Sequence, residues 1–535
     1  MKKLAVLSDH RWDSGVKTFS IGASLSFLRL YELLELFKNK LGDVEIDFYV
    51  MTYNPYGKVE YFKVDFNELY GIYKNKDIKR IIGLANKNYD GISERIGLDD
   101  ILNELSSSDF KFITSVGFGI YNDSFEKKED LDKILSNNGA YMIMFHTDYP
   151  SNFLYNLVEF MNSRLKNISE RPKNKIYSLL NRKLIRGYMD DRDQKELINI
   201  IEYLSNSNTE EAIEFREKYS WWLDEVKKYI YTFTKLTESE NVISMFPTYI
   251  VSDSNSRFIK NVSGSNIKKR IVLHEPIYMI TLDKYYRNEI EEYKKYYLNL
   301  YNKDNKINLL YVGRRSKEKG IDDIIRLFED LVKEGEDIRL IIVSPDFGED
   351  TKEYKKLEEI VNKYKRGEIH IYSKALGNSL HEYPLYYIGL LKTLGELNST
   401  IYINPTYLES YGLSALEAII FGKLLTIYRD VDGLKELKEE GYLNDQTAFR
   451  TYEDLINLTK KIVEEIKNGK YDEYVNKKAI EILEREVDPE ELAGKYAEII
   501  YLAKEYEKII HNESKLEYNN NNLEAQSEKI AAAAA

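Results

Sequence analysis

The sequence predicts an α/β protein built from two successive domains, and three observations support this fold class. First, the chain has 535 residues, more than one ordinary hydrophobic core organises. Second, short apolar segments alternate with longer helical segments in both halves, an arrangement typical of parallel sheets. Third, the strongly polar stretch 302–308 separates the halves. We therefore expect an N-terminal domain over residues 1–300 and a C-terminal domain over residues 301–487.

The N-terminal half begins with a short apolar strand, a loop that contains Gly15 and a long helix at about 21–37. The later apolar runs that predict strands in this half are 44–52, 110–116, 141–146, 248–253 and 270–273. Polar helical segments precede several of them, so these strands are expected to form a parallel sheet.

Residues 151 to about 240 interrupt this alternation, because long charged helical stretches replace short strands there. The segment is too long for a crossover connection, so it predicts a helical insertion in the first domain. Its tryptophan pair, Trp221 and Trp222, fits the buried core of the insertion better than an anchor at a membrane interface.

A basic stretch runs through the insertion from Arg164 to Arg186, interrupted only by the acidic residue Glu170. It indicates either a contact with an anionic acceptor or membrane surface, or a solvated helix face balanced by the acidic stretch 196–217. The solvated face is the simpler interpretation. The net charge of −12 argues against nucleic acid as a partner.

The composition excludes several further classes of protein. The chain has no cysteine, which excludes disulfides, thiolate metal sites and cysteine nucleophiles. Its N-terminus does not resemble a signal peptide, and no apolar stretch reaches the length of about 18 residues that a membrane span needs. We expect a cytoplasmic protein, with peripheral membrane contact as an alternative.

The C-terminal half repeats the alternation of strand and helix. Strands are expected at 309–312, 338–344, 369–372, 401–404 and 424–428. A final helix over 488–511 is expected to pack back on the first domain. The tail 512–535 is rich in asparagine and ends in five alanines, so it is expected to be disordered.

The first strand of the C-terminal half leads into a basic loop, residues 313–320, with glycines at both ends. Glycine would let the backbone and the cationic side chains of Arg314 and Lys319 converge at the N-terminus of the next helix, a geometry that suits phosphate. A merely solvated loop is the alternative. The segment 409–417 also follows a strand of this domain, and ligands of doubly wound sheets bind beyond the carboxyl ends of strands.

The segment 409–417 carries a carboxylate at each end, Glu409 and Glu417. If the chain is helical from residue 413 onwards, Glu417 lies on or beside an apolar stripe. Burial of an unpaired carboxylate costs several kcal/mol, so Glu417 should have a partner. That partner is either a protein donor or the hydroxyls of a ligand.

Four motifs, in this order, resemble the retaining glycosyltransferases of family four, the glycosyl transferases group 1 with the GT-B fold. They are Val312-Gly313-Arg314 with Glu318-Lys319-Gly320, Asn404-Pro405, the segment from Glu409 to Ala418, and the segment from Asp432 to Glu436. The resemblance covers about residues 306–440, and residues 145–150 match more loosely. It implies two Rossmann-like domains that face a cleft, with the helical insertion in the first.

The resemblance also implies an activity, namely metal-independent transfer of a sugar from a nucleoside diphosphate sugar to a hydroxyl acceptor with retention. Arg314 and Lys319 would hold the diphosphate. Glu409 would bind hydroxyls of the donor sugar, Glu417 would bind the ribose, and His146 would lie near the reacting centre. The further donor-binding residues that it implies are Gly15, Gly313, Ser410, Tyr411, Gly412 and Leu413. No cofactor is implied, and the acceptor is a saccharide, a lipid or a protein glycan.

Two departures from the family pattern accompany this resemblance. One glycine, Gly15, stands where members usually have two, and Asp432-Gly433 replaces a later glycine pair, which leaves room for altered donor-sugar contacts. Three alternatives remain: a catalytically degenerate binding or assembly module, a sugar phosphorylase and a nucleotide-sugar epimerase on the same fold. For His146, the alternative is a buried, hydrogen-bonded histidine at the end of a strand.

Overall fold

The computed structural model describes residues 2–9, 44–53, 59–68, 91–115, 141–145, 148–163, 170–238, 242–267, 269–273, 277, 279–302, 304, 306–344, 346–373, 383–475, 477–488, 491, 492, 494, 495 and 498. The chain forms two units. The first consists of Met1–Leu180, Met189–Pro276 and Pro489–Ala535, and the second of Asn181–Tyr188 and Ile277–Asp488. The second unit thus includes helices that precede residue 301 and a short piece of the predicted insertion.

The first unit is built on an eight-stranded sheet. Its strands are β1 (Lys2–Asp9), β2 (Val44–Tyr53), β3 (Val59–Val64), β4 (Ser93–Ile96), β5 (Phe110–Ser115), β6 (Tyr141–Phe145), β7 (Val242–Phe246) and β8 (Arg270–Val272). Their spatial order is β4-β3-β2-β1-β5-β6-β7-β8. The pairs β2–β3 and β3–β4 are antiparallel, and the other neighbours pair in parallel, as the alternation of strand and helix predicts.

The structure describes six helices between residues 98 and 263. They are α1 (Leu98–Ser107), α2 (Tyr149–Ser163), α3 (Glu170–Arg186), α4 (Asp191–Asn206), α5 (Glu210–Glu238) and α6 (Tyr249–Ser263). Helices α2 to α5 follow one another between β6 and β7, where the sequence predicts the helical insertion.

The insertion has an aromatic core, and its two adjacent tryptophans differ in burial there. Trp222 is 2% exposed and packs edge-on against Phe153 and Phe215, whereas Trp221 is 55% exposed. Neighbouring residues on a helix point about 100° apart, so a pair cannot face one core together. The expectation of a buried pair is therefore right for Trp222 and wrong for Trp221.

The strand predicted at 248–253 is wrong, because these residues begin helix α6. Thr248 is the N-cap, and its side chain accepts a hydrogen bond from the N–H of Val251. The helix ends at Gly264, which has the left-handed conformation typical of a helix C-terminus. The apolar run at its start resembled a strand because a strand and one buried helix turn share the same short pattern.

The second unit contains a six-stranded parallel sheet. Its strands are β9 (Ile307–Val312), β10 (Ile338–Val343), β11 (Glu368–Tyr372), β12 (Thr400–Asn404), β13 (Leu425–Arg429) and β14 (Ala448–Phe449). They lie in the order β11-β10-β9-β12-β13-β14, with every neighbouring pair parallel. The five strands predicted from sequence in this half are confirmed within a residue or two at each end.

The helices of the second unit precede, join and follow these strands. They are α7 (Met279–Tyr285), α8 (Arg287–Tyr301), α9 (Ile321–Lys333), α10 (Lys352–Tyr364), α11 (Tyr383–Glu396), α12 (Leu413–Gly422), α13 (Asp432–Glu439), α14 (Tyr452–Lys467) and α15 (Lys477–Glu486). Helix α9 shows why the sequence forms them: Ile321, Ile324, Phe328 and Leu331 recur every three or four residues, and all are buried.

Several predicted segments lie outside the described residues. They include the helix at about 21–37, the tail 512–535 and most of the final helix 488–511. Within the part of the chain that the structure describes, no helix is long and apolar enough to cross a membrane.

Candidate functional site

The strand order of the second sheet creates a topological switch point between β9 and β12. From β9 the chain proceeds to β10 and β11 on one side and then returns to β12 on the other. Ligands of such sheets bind in the crevice at the carboxyl ends of these strands. The basic loop, residues 313–320, follows β9, and a second segment, which we call the glutamate turn (residues 405–412), follows β12. The fold thus brings both segments to one edge of one sheet.

The two adjacent arginines of the basic loop have different surroundings. Arg315 is anchored, because its backbone N–H donates to Asp346 at 2.8 Å and its Nη1 donates to Glu353 at 2.7 Å. The side chain of Arg314 is 54% exposed and pairs with Glu318 at 2.9 Å. Ion pairs this exposed contribute about 1 kcal/mol or less, so the guanidinium is easily redirected. Arg314 is therefore the arginine available to an anionic ligand.

Lys319 links the basic loop to the glutamate turn. Its Nζ lies 2.9 Å from Oε2 of Glu409, and the two side chains are 26% and 15% exposed. The backbone strengthens this contact, since the N–H of Tyr407 donates to the carbonyl of Glu318 at 2.8 Å. The hydroxyl of Thr406 donates to the same carbonyl at 3.1 Å. Two residues that the sequence singled out separately are thus in direct contact.

The close approach of the two segments depends on a glycine. Gly320 has a φ of +73°, and a Cβ at this position would collide with the carbonyl oxygen of Pro405. Glycine adopts this backbone conformation without a steric penalty and leaves room for the neighbouring backbone. A larger residue at 320 would therefore separate the basic loop from the glutamate turn.

The carboxylate of Glu409 also closes its own turn. Its Oε1 accepts a hydrogen bond from the N–H of Gly412 at 3.2 Å. Gly412 has a φ of +87°, and a Cβ there would lie 2.6 Å from Cδ2 of Leu434. Helix α12 begins at the next residue, Leu413. The first N–H groups of a helix lack intrahelical acceptors and favour anions, so this end of α12 suits a phosphate.

Glu417 lies on α12 and is 6% exposed, which confirms that this carboxylate is buried. The hydroxyl of Tyr402, on β12, donates to Oγ of Ser414 at 2.9 Å. Burial raises the pKa of Tyr402, and the negative charges of Glu409 and Glu417 raise it further. Both carboxylates therefore act on one tyrosine hydroxyl, which places them in one electrostatic neighbourhood.

The other sequence-predicted site residues fall into two groups. Tyr411 is buried, whereas Ser410 and Leu413 are partly exposed at the turn, and the N–H of Gly313 donates to the carbonyl of Val343 at 3.0 Å. The roles given to them stay predictions. Gly15 and His146 lie outside the described residues.

A buried arginine that the sequence did not indicate supports the glutamate turn. Arg429, at the end of β13, is 2% exposed, and its Nε donates to the carbonyl of Pro405 at 3.2 Å. Its Nη2 donates to Asp323 at 2.6 Å, and its guanidinium lies 4.0 Å from the ring centre of Tyr407. Asp323, in the first turn of α9, is thus the counter-ion of this arginine.

The segment after β13 packs directly against the glutamate turn. The N–H of Gly433 donates to the carbonyl of Glu409 at 2.9 Å, and a Cβ at 433 would collide with the carbonyl of Ser410. Asp432 has a φ of +44°, a region that non-glycine residues enter at a steric cost. The chain therefore keeps a glycine-type backbone at 432 and adds a carboxylate.

Among the described residues, no group of three or more His, Cys, Asp or Glu side chains is arranged to hold a metal ion. The anion-binding groups that this part of the chain does supply are Arg314, Lys319 and the N-terminus of α12. Together with the carboxylates of Glu409 and Glu417, they have the chemistry that suits a negatively charged ligand with hydroxyls.

The region that contains these segments matches a known protein family. Residues 299–482 match the family model described as Glycosyl transferases group 1. The chain therefore carries a domain of this type, and the basic loop, the glutamate turn and α13 all lie within it.

Among the proteins similar to the chain are a curated relative and the two solved structures described below. Over 144 residues it is 31% identical to the uncharacterized glycosyltransferase MJ1069 of Methanocaldococcus jannaschii, a match that covers 26% of this chain and 31% of that protein. The chain thus spans less than a third of this relative's length in the match.

The apo structure of OtsA has a TM-score of 0.50 at 10% identity, covering 94% of this chain and 99% of that one. A structure of Anabaena Alr3699/HepE in complex with UDP and glucose has a TM-score of 0.46 at 10% identity, covering 94% and 100%. The likeness to OtsA concerns the fold alone. With the two sheets, it confirms the α/β fold class of the GT-B type with two Rossmann-like domains.

Proposed function

We propose that the protein is a retaining glycosyltransferase that moves a sugar from a nucleoside diphosphate sugar to a hydroxyl acceptor without a bound metal. The observation that carries this proposal is the contact between Lys319 and Glu409 at the switch point of the second sheet. It joins a cation and a hydroxyl-binding carboxylate beside a helix N-terminus, inside the region that matches the glycosyl transferases group 1.

The diphosphate of the donor would bind Arg314, Lys319 and the N-terminus of α12. A diphosphate competes well for Lys319, because its charge exceeds that of the single carboxylate that holds the lysine in this structure. As the bond to the sugar breaks, negative charge accumulates on the leaving phosphate. Fixed cations that meet this charge stabilise the transition state more than the ground state.

The two carboxylates would bind the uncharged parts of the donor. An ionised carboxylate only accepts hydrogen bonds, so its natural ligands here are hydroxyl groups. Glu409, beside the phosphate cations, would accept from the donor sugar. Glu417, buried further along α12, would accept from the ribose. The separation of the two carboxylates along the chain then follows the length of the nucleotide sugar.

In the proposed reaction, the bond between the anomeric carbon and the phosphate oxygen breaks. The acceptor oxygen forms the new bond on the same face of the sugar, so the anomeric configuration is retained. The acceptor proton passes to the leaving diphosphate oxygen, which balances the step without a separate base. We place His146 near this centre and Gly15 at the donor or acceptor, on the family resemblance.

The experiment that tests the proposal is a screen of purified protein against nucleoside diphosphate sugars by thermal shift, followed by turnover with simple hydroxyl acceptors. A donor present at 100 times its Kd should stabilise the protein by roughly 2.7 kcal/mol. Proton NMR of the product should show the donor's anomeric configuration, and turnover should persist in EDTA. An inverted product would exclude retention, and loss of activity in EDTA would exclude metal independence.

We propose a hydroxyl of a saccharide, a lipid or a protein glycan as the acceptor. The cytoplasmic location and the peripheral membrane contact through Arg164–Arg186 stay predictions. An acceptor library assayed with the donor found in the screen would identify the acceptor class.

A further inference from the structure

A buried lysine from helix α3 of the predicted insertion lies against the glutamate turn. Lys183 is on the last turns of α3, in the segment Asn181–Tyr188 that belongs to the second unit. Its Nζ lies 2.7 Å from Oδ2 of Asp432, and the two side chains are 2% and 0% exposed. The same Nζ donates to the carbonyl of Tyr407 at 3.0 Å. One ammonium group therefore contacts both the glutamate turn and the first residue of α13.

The backbone repeats this connection immediately after α3. The N–H of Asp432 donates to the carbonyl of Gly187 at 2.6 Å. Gly187 has a φ of +80°, and a Cβ there would lie 2.6 Å from the carbonyl oxygen of Asp430. The segment 183–187 is thus fitted closely to the start of α13 and tolerates no side chain at Gly187.

Stability alone is a poor explanation for this arrangement. Asp432 occupies a left-handed backbone conformation, and Lys183 brings a positive charge to the N-terminal end of α13, where the helix dipole disfavours cations. Taking both charges out of water also has a cost that their attraction often fails to repay. A buried pair of this kind is better suited to fixing one geometry than to adding stability.

The geometry that it fixes includes Glu409. Lys183 holds Tyr407, two residues before the glutamate, and it also holds Asp432. The next residue, Gly433, donates its N–H to the carbonyl of Glu409 at 2.9 Å. Residues 407–409 and 432–433 are thus connected at two points, by Lys183 and by the hydrogen bond from Gly433 to Glu409.

We propose that Lys183 is a positioning residue for the donor site, which holds Glu409 in the orientation that selects the donor sugar. This inference rests on the proposed function, because it concerns the carboxylate assigned to the donor hydroxyls. It also gives the segment Asn181–Tyr188 of the insertion a role in the second unit. Since Lys183 is buried and paired with Asp432, it is not one of the basic residues that α3 could offer to an anionic surface.

The experiment compares the full-length wild type with a variant in which both charges are removed. Lys183→Met alone leaves a buried carboxylate, so the test variant is Lys183→Met with Asp432→Asn, because asparagine tolerates a positive φ. The matched control is Arg339→Met. Arg339 is another buried cation of the second unit, paired with Asp304 and Glu368 away from the glutamate turn.

Two readouts are measured, and the first needs no substrate. Hydrogen exchange of peptides covering 405–414 should be at least tenfold faster in the double variant and unchanged in the Arg339→Met control. The second is the ratio of kcat/KM for the accepted donor to that for its best-used hydroxyl epimer. This ratio should fall at least fivefold, and a loss of folded enzyme does not change it. Lys183→Arg, which keeps both donor contacts, should restore part of each readout.

Each outcome decides between the alternatives. Unchanged exchange over 405–414 would overturn the positioning role. Faster exchange with an unchanged ratio of donor kcat/KM values would overturn it too, because Lys183 would then hold the turn without affecting donor selection. If the wild type turns over no nucleotide sugar, the proposed function fails, and the exchange measurement alone still decides whether Lys183 holds the turn.

Discussion

Two lysine–carboxylate pairs hold the glutamate turn, and they differ in exposure rather than in length. Lys319 lies 2.9 Å from Glu409, with both side chains partly exposed, whereas Lys183 lies 2.7 Å from Asp432, with both buried. The partly exposed pair lies at the edge of the sheet where the switch point is found. The buried pair is closed to solvent on all sides.

This difference separates a pair that can exchange partners from one that cannot. Water compensates an exposed charge when its partner leaves, so Lys319 can turn from Glu409 to a phosphate at little cost. A buried charge has no such compensation, so Lys183 remains with Asp432. The first pair is therefore suited to ligand binding and the second to positioning.

The largest expected effect is on folding stability. Lys183→Met should lower the free energy of unfolding by roughly 3–5 kcal/mol, because Asp432 stays buried without its counter-ion. Lys319→Met should lower it by about 1 kcal/mol or less. Urea unfolding of both variants measures the difference, and equal losses would contradict the assignment of different roles to the two pairs.

The next effect concerns activity. Lys319→Ala and Arg314→Ala should each lower kcat/KM roughly 100-fold or more. Each removes a cation from the leaving phosphate, which costs about 3 kcal/mol of transition-state stabilisation. Steady-state kinetics with the donor found in the screen measures this. The control is Lys317→Ala, an exposed lysine of the same loop. Wild-type kcat/KM in both site variants would refute the proposed binding of the diphosphate by Lys319 and Arg314.

A third ion-pair network, around the partly exposed Glu368, tests whether the size of these effects depends on exposure. Burial would raise the pKa of Glu368, but hydrogen bonds from His370 and Arg339 and their positive charges outweigh it and hold the pKa at about 2. Its contribution to stability is therefore complete above pH 4.5, its ordinary pKa, and is lost as the pH falls towards 2.

After solvent screening, we expect this contribution to be about 1–2 kcal/mol. Glu368→Gln should remove that part of the acid destabilisation seen in denaturant melts between pH 5 and pH 3. If the free energy of unfolding falls equally with pH in the variant and the wild type, the network does not depend on the ionised carboxylate.

The smallest effect is expected at the far end of α13, where carboxylates repel one another. Partial burial, with repulsion from Glu436, Glu486 and Glu439, raises the pKa of Glu440 to about 7. Stability is then fully present below pH 4.5 and lost as the pH rises to about 7.

Because Glu440 is only partly buried and solvent screens the repulsion, we expect this loss to be about 1 kcal/mol or less. Glu440→Gln should flatten the dependence of Tm on pH between pH 5 and pH 8. An identical slope in the variant would show that the repulsion is fully screened.

Whether a sequence prediction was right depended on how far along the chain the deciding interactions extend. The strands of the second sheet were predictable because apolar runs such as 309–312 and 338–344 carry their own signal. The run 248–253 failed because the N-cap at Thr248 makes it the start of a helix. The adjacent Trp221 and Trp222 failed as a pair because a single helix cannot bury neighbours equally.

For the candidate site, the sequence predicted the residues that lie on two short motifs, among them Lys319, Glu409 and the buried Glu417. It did not indicate Lys183, which meets its partner across 249 positions, or Arg429, which meets Asp323 across 106. Neither residue has a local pattern that distinguishes it from a solvated cation.

By itself, the sequence determined the alternation of strands and helices, the two loops at strand ends and the glycines that let those loops approach closely. These features follow from backbone geometry and from hydrophobic periodicity over a few residues. The tertiary structure alone decided which charges meet. It placed Lys319 in a partly exposed pair and Lys183 in a buried one, because burial and pairing depend on segments that the chain brings together only when it folds.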